Sequence, residues 1–460
     1  MPRPTIAIVG AGFSGTLLAL HLLRRCPEAI RVTLIERNSA FGRGQAYATG
    51  NPSHLLNVPA ARMSAFHDQP NDFVDWLRRQ PDAEALLAQG FVPRRLFGAY
   101  VRALLSEEVK RPENDGRLEL LRGDVAGLSK TEAGLTLAMD GDRWLPADLA
   151  VLAIGNFPPE PPPCADADFL DGPLYLPDPW AADSFAALPP EAPVLLIGTG
   201  LTMVDATISL LDQGHRGPIH ALSRRGLLPR RHAATAPRPA PVAALPATLV
   251  ELVRSLRGEA RRAAAGGGDW RPVVDRLRPF TQDVWQALSP ADQSRFLRHL
   301  RPWWDVHRHR MAGPVADRIE AARASGQLRL HVGRIQTLRQ EGGIAELTYR
   351  RRGDGETVEL RVARVVNCAG PGCDYDRIDH PLVRSLLQAG LVRPDPLRLG
   401  LDVTGTCALR DRSGAISRRL FAVGPVTKGS FWEMTAVPDI RRQCEVVAEH
   451  LAGIVRATLA

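Results

Sequence analysis

Residues 6–15 read Ile-Ala-Ile-Val-Gly-Ala-Gly-Phe-Ser-Gly, and Glu36 closes a second apolar run 21 residues after Gly15. These residue types at this spacing suit one kind of chemistry, the holding of a diphosphate and a ribose. Gly10 permits a tight turn, and Gly12 lets backbone N–H groups approach a pyrophosphate. Gly15 lets the following helix pack close to the strand. That helix opens with Phe13 and Ser14, and its N-terminus offers partial positive charge to phosphate. Glu36 can accept a hydrogen bond from a ribose 2′-OH. An ordinary glycine-rich βα turn would share the glycines without the acid at the end of the next strand.

The unit occurs twice. Residues 193–200 read Pro-Val-Leu-Leu-Ile-Gly-Thr-Gly, again a buried strand entering a glycine turn. Leu201 and Thr202 open the helix expected from about Thr202 to Asp212, and Pro218-Ile-His-Ala-Leu-Ser is the next strand. Gly10 to Glu36 is 26 residues, and 26 residues after Gly198 stands Arg224, with Arg225 beside it. A carboxylate there favours a bare 2′-OH, whereas an arginine favours a 2′-phosphate. The first site, Gly10, Gly12, Gly15 and Glu36, therefore reads as FAD. The second, Gly198, Gly200, Arg224 and Arg225, reads as NADPH. Met203 replaces the third glycine, so a degenerate duplicate that binds nothing is the alternative.

Other elements must position these turns. Residues 118–155 and 328–370 each run as short strands, a β-meander, into a buried strand and a glycine, Gly155 and Gly370. A C-terminal strand, Leu420-Phe-Ala-Val-Gly-Pro, brings in Gly424 and precedes a helix beginning near Ala436 or Asp439. The N-terminus of that helix can stabilise negative charge on a reduced flavin. The loop after Glu36 carries Gly42 and Gly44, which allow close backbone approach, and Arg43, Asn57 and Ser64, which could hydrogen-bond the flavin edge, with Met63 adjacent. A plain connecting loop is the alternative. Phe157-Pro-Pro-Glu-Pro-Pro-Pro reads as the exit from the flavin domain. Residues 229–242 read as loop.

Helical periodicity over about 245–325, with Leu245, Leu249, Leu252, Val253 and Leu256 on one face and a weak linker at Ala263 to Gly268, marks a helical insertion. It serves equally as a substrate lid or a packing module. Within it, Trp304, His307 and Arg308 share helical spacing, and Arg308 or Arg310 could meet a substrate anion or an NADPH phosphate. A salt-bridged helix face explains the same residues. His307 and His309 lie two apart and make a poor metal pair.

The expected architecture is α/β, with two Rossmann-like domains for FAD and NADPH, β-meanders and the helical insertion. The expected boundaries are 1–190 for the first part of the FAD domain, 191–370 for the NADPH domain and 371–460 for the return to the FAD domain. At 460 residues the chain has ample apolar surface for such cores. Hydrophobic residues make up 45% and charged residues 23%, which excludes a disordered or fibrous class. The net charge of +8 suits anionic ligands, but no basic stripe interleaved with aromatics marks a nucleic-acid surface. Residues 4–23 are apolar, yet glycines, Ser14 and His21 interrupt them, so no membrane segment is expected and a cytoplasmic protein is. Among six cysteines only Cys368 and Cys373 are close in sequence. They could form a redox pair, or be ordinary buried cysteines.

The segments Phe41-Gly-Arg-Gly-Gln-Ala-Tyr, His54-Leu-Leu-Asn-Val-Pro-Ala-Ala-Arg-Met-Ser, Gly198-Thr-Gly-Leu-Thr-Met-Val-Asp, Ser223-Arg-Arg-Gly-Leu-Leu-Pro and His307-Arg-His-Arg-Met resemble the FAD-NAD(P)-binding protein family. The resemblance spans nearly the whole chain. Some members are flavin-dependent N-monooxygenases that oxidise the amine of an amino acid, aspartate included. The group is similar to the wider class B flavin monooxygenases. The resemblance implies an FAD-dependent monooxygenase that consumes NADPH and O₂. One oxygen atom would pass from a flavin C4a-hydroperoxide to a small substrate, by N-hydroxylation of an amino acid or amine. An NADPH-dependent flavin reductase and a non-catalytic FAD-binding redox sensor stand as alternatives. Neither the substrate nor the oligomeric state follows from the sequence.

Overall fold

The structure is a computed structural model of the chain, and it describes residues 3–26, 30–132, 134–181, 184–235, 246 and 248–459. The chain divides into two compact units. The first comprises Met1–Gly50, Val58–Phe157 and Cys373–Ala460, the second Asn51–Asn57 and Pro158–Gly372.

In the first unit the strands run β1 (Thr5–Val9), β2 (Arg31–Glu36), β3 (Leu118–Arg122), β4 (Val125–Lys130), β5 (Leu135–Met139), β6 (Arg143–Ala147) and β7 (Leu149–Leu152). In the second they run β8 (Tyr175–Leu176), β9 (Val194–Ile197), β10 (Ile219–Ser223), β11 (Leu328–Glu341), β12 (Ile344–Arg351), β13 (Thr357–Val362) and β14 (Arg364–Asn367). The chain then returns to the first unit with β15 (Ala408–Arg410) and β16 (Ile416–Ala422).

The first unit's main sheet has the order β15-β16-β7-β1-β2-β3. Four of its five pairings are parallel, joining β16, β7, β1, β2 and β3, and β15 joins antiparallel at the edge. β1 and β7 are continuous apolar runs because a parallel sheet is covered on both faces. The helix Phe13–Arg25 covers one face and packs on the C-terminal helix Val437–Leu459. The meander β4-β5-β6 and the helix Pro381–Gln388 close the other core, around Leu137, Leu152, Leu382 and Leu420.

The second unit repeats this plan in the order β13-β12-β11-β10-β9-β14-β8. One strand does the work of two. β11 pairs parallel with β10 over Leu328–Val332 and then antiparallel with β12 from Gly333 onward, with a register shift between Ile335 and Thr337. In the first unit the same path is cut into β3 and β4. Both units are Rossmann-like α/β sheets with an appended meander.

Two sequence expectations are corrected here. Residues 158–190, expected in the first domain, pack in the second unit, where β8 forms the sheet edge by pairing with β14. The loop 42–64 is divided, since Asn51–Asn57 pack with the second unit and its flanks with the first.

The insertion is helical. It opens with Leu249–Ala265, capped by Thr248, whose hydroxyl accepts from Glu251 N at 3.3 Å and donates back to the Glu251 carboxylate at 2.8 Å. Leu249 and Leu252 are buried, Val253 and Leu256 half-buried, and Leu245 lies outside the described residues, as do residues 236–242 of the expected loop 229–242. The helix runs through Ala263, which is buried, so the expected linker shortens to Gly266–Gly268. Among the described residues, no helix is long and apolar enough to cross a membrane.

Candidate functional site

The two glycine turns are near copies in backbone geometry. Gly10 has φ +103° and Gly198 φ +111°. Gly12 caps its helix at φ −71°, ψ −167°, and Gly200 at −84°, −168°. A Cβ on Gly10 would lie 2.4 Å from Ala153 O, and one on Gly198 2.6 Å from Cys368 O. Only glycine fits either place. The matching hydrogen bonds are Gly10 N to Ile35 O at 2.9 Å and Gly198 N to Leu222 O at 2.8 Å.

That register fixes the acid's counterpart. Ile35 corresponds to Leu222, so Glu36 corresponds to Ser223 and not to Arg224. Counting 26 residues overshoots by one, because the path from Gly198 to the end of β10 is one residue shorter. Glu36 Oε2 accepts from Ala11 N at 2.9 Å and Oε1 from Asn38 N at 3.1 Å. In the second unit Thr199 replaces Ala11, and its Oγ1 lies 2.9 Å from Ser223 Oγ. Ser223 also accepts from Gly226 N at 2.9 Å. A neutral hydroxyl pair thus stands where the first unit has a carboxylate. Arg224 follows it and is exposed; Arg225 is half-buried.

Around the first turn, Gly42 N donates to Ala11 O at 2.9 Å, and a Cβ on Gly12 would lie 3.3 Å from Gly44 Cα. The loop thus lies against the phosphate turn itself. Between those glycines, Arg43 has its Nε buried with no hydrogen-bond partner. A buried orphan guanidinium nitrogen beside a glycine cradle fits the diphosphate of FAD. Phe13 and Ser14 are buried at the start of the helix. A Cβ on Gly15 would lie 1.9 Å from Gly10 O, which is why the helix requires glycine there. Gly155 has φ +72° with open space around it. Gly424, at φ +80°, abuts Ser14 Oγ, and its N donates to Gln443 Oε1 at 2.7 Å. Ala436 immediately precedes the helix Val437–Leu459.

Other expected contacts are placed differently. The Ser64 hydroxyl is fully buried and donates to Gln69 O at 2.5 Å and Phe66 O at 3.1 Å, which holds its own turn rather than leaving it for a flavin edge. Met63 beside it is also buried. Asn57 belongs to the second unit, where its carbonyl accepts from His232 Nε2 at 3.0 Å. Burial lowers the His232 pKa to about 4. His54, in the same segment, meets Ser209 Oγ at 2.9 Å on the helix Leu201–Asp212.

Around the second turn, Gly200 is exposed and a Cβ there would meet nothing within 4 Å. Leu201 and Thr202 are half-buried at the helix start, and Met203, in the place of Gly15, is fully buried. The open cradle suits the diphosphate of NADPH. Cys368 and Cys373 are both free thiols; burial pushes the Cys368 pKa up.

The two arginine-rich motifs meet within the second unit. Arg230 N donates to Val306 O at 2.9 Å, Met311 N to Arg230 O at 2.8 Å and His232 N to Met311 O at 2.9 Å. Arg310 is buried, pairs with Asp275 and lies over the Trp270 ring. His307 meets the same ring edge-on at 4.7 Å. Arg310 lies just past the helix Arg301–Arg308; its ion-pair partner is Asp275, and its Nε is buried with no hydrogen-bond partner. Arg308 is buried. Sequence reasoning passed over two other residues. Ser223 emerges once strand ends, not glycines, are aligned. Arg301 is brought to Gly370: a Cβ on Gly370 would lie 3.8 Å from Arg301 Nη2.

Residues 7–157 match the FAD-NAD(P)-binding family model. No curated protein matches by sequence. Among solved structures, the Kutzneria ornithine N-hydroxylase aligns at TM-score 0.66 and 13% identity over 99% of this chain and 100% of that one. The L-lysine 6-monooxygenase of Pseudomonas syringae aligns at 0.65 and 15%, over 100% of both. The bacillithiol disulfide reductase of Staphylococcus aureus aligns at 0.57 and 11%, over 98% and 99%. Residues 7–157 are thus a FAD-NAD(P)-binding domain, and the chain as a whole has the fold these flavoproteins share.

Proposed function

We propose that the protein is a cytoplasmic, FAD-dependent monooxygenase that consumes NADPH and O₂ and hydroxylates the amine of an amino acid or small amine. The observation that carries this reading is the asymmetry of two matched cradles, with Glu36 in one and Ser223, followed by Arg224, in the other. A carboxylate selects a bare ribose, as in FAD; a hydroxyl with cations beside it accepts a 2′-phosphate. The alignments with ornithine and lysine hydroxylases support the substrate class.

When bound, reduced flavin supplies the oxygen activation that no side chain can. The chain's own residues do the holding. Gly12 and the helix Phe13–Arg25 present N–H groups to one diphosphate, with Arg43 beside them. Glu36 takes the adenosine ribose. Gly200 and the helix Leu201–Asp212 cradle the second diphosphate. The N-terminus of the helix Val437–Leu459 would offer partial positive charge to a bound flavin.

The test is stoichiometry on purified protein loaded with FAD. Ornithine, lysine, aspartate and simple diamines are offered with NADPH. Equimolar, substrate-dependent loss of NADPH and O₂ with a hydroxylamine product supports the reading. NADPH oxidation that yields reduced acceptor or hydrogen peroxide alone, with every amine tried, assigns a reductase instead. Bound FAD with negligible NADPH oxidation assigns a redox sensor.

A further inference from the structure

We propose that Arg301 binds the pyrophosphate of the nucleotide in the second cradle, and that the helical insertion exists in part to deliver it. The inference rests on the second cradle's being a nucleotide site.

In the order β10-β9-β14, the glycine turn after β9 lies between the ends of its two neighbours. Ser223 and Arg224 stand at the end of β10, the side of the adenosine ribose. Gly370 stands just past the end of β14, on the opposite side. Two contacts place one short stretch of the insertion over both. Arg225 Nη2 donates to Arg298 O at 3.4 Å, and Arg301 Nη2 faces Gly370. One end of the stretch 298–301 therefore meets Arg225, beside Arg224, and the other end meets Gly370. A Cβ on Gly198 would lie 2.6 Å from Cys368 O, and Gly370 is two residues further along the chain.

The backbone there is unusual. Phe296–Leu300 is a π turn, and Arg301 begins the next helix with Pro302 behind it. A π turn inserts one residue into the helical register and re-aims the side chains that follow, and such turns recur at functional sites. Arg301 is half-buried, and its ion pair with Asp305, at 3.4 Å, is itself partly exposed. Such a pair is weak and can be exchanged for a diphosphate, which a planar guanidinium binds through two N–H groups. Arg310, by contrast, is buried and pairs with Asp275.

The experiment is calorimetric titration of the FAD-loaded protein with NADP⁺ and, separately, with adenosine 2′-monophosphate, which carries the 2′-phosphate but no pyrophosphate. Arg301→Gln should weaken NADP⁺ at least tenfold and leave adenosine 2′-monophosphate unchanged. Arg301→Lys should restore part of the loss. Asp305→Asn, which removes the ion pair and spares the arginine, should not weaken NADP⁺. Unchanged NADP⁺ affinity in Arg301→Gln overturns the inference alone. So does equal weakening of both ligands, or a loss reproduced by Asp305→Asn. A wild-type protein that binds neither ligand removes the second nucleotide site, and the inference with it.

Discussion

Glu36 and Ser223 occupy one position in two copies of the same turn, each following the residue whose carbonyl receives the first glycine's N–H, Ile35 in one unit and Leu222 in the other. The carboxylate of Glu36 turns back on Ala11 N; the hydroxyl of Ser223 turns back on Thr199. One arrangement places a carboxylate at the end of the strand and the other a neutral hydroxyl. At about 4 Å, two like charges near a surface repel by roughly 4 kcal/mol before screening.

Nucleotide preference should follow from that difference. Ser223→Glu should cut the ratio of NADPH to NADH affinity by about a hundredfold, because a new carboxylate would face the 2′-phosphate. Arg224→Glu should act in the same direction. Steady-state KM values for both nucleotides check this, and an unchanged ratio in both variants removes the assignment of the second cradle.

The glycines should separate folding from binding. In Gly15→Ala the new methyl would sit 1.9 Å from Gly10 O, inside backbone that cannot yield. The variant should lose about 2–3 kcal/mol of stability and release FAD. In Gly200→Ala the methyl meets nothing, so unfolding should shift by less than about 1 kcal/mol while nucleotide binding weakens strongly. Denaturant unfolding beside nucleotide titration measures both.

Gln443 should prove structural for the flavin side. It is buried, accepts from Gly424 N at 2.7 Å and donates to Thr427 Oγ1 at 2.9 Å. Gln443→Leu leaves a buried N–H unsatisfied, at a cost of about 1–3 kcal/mol. Chemical unfolding of the variant, with and without added FAD, checks it.

Stability should fall in mild acid. His220 Nδ1 lies 2.9 Å from His331 Nε2, and His331 Nδ1 lies 2.9 Å from the Tyr349 hydroxyl. Burial lowers the His220 pKa to about 4, with His331 adding to the effect, and burial lowers His331 as well. A histidine whose folded pKa is depressed takes up its proton more readily when unfolded. Its contribution is therefore present above about pH 6.5 and is lost as pH falls toward about 4, by roughly 1 kcal/mol per pH unit. His220→Asn should flatten the slope of unfolding free energy against pH over that window. An unchanged slope would show that the pair does not titrate there.

Much of this molecule is written locally. Gly10, Gly12, Gly15, Gly198 and Gly200 lie within runs whose apolar content and turn chemistry demand strand, tight turn and helix, whatever surrounds them. The same holds for the meanders and for the capped helix after Thr248. The tertiary structure decided what chain counting could not. Sheet register follows from hydrogen bonds to a neighbouring strand, so Ser223 rather than Arg224 stands opposite Glu36, although the two paths differ by a single residue of helix and turn. What each arginine meets follows from the tertiary structure: Arg310 is buried against Asp275, whereas Arg301, after a π turn, pairs with a partly exposed Asp305 and stands beside Gly370. Ser64 spends its hydroxyl on two carbonyls of its own loop. A side chain's type is fixed by sequence, but its free valence is fixed by partners that arrive from distant parts of the chain.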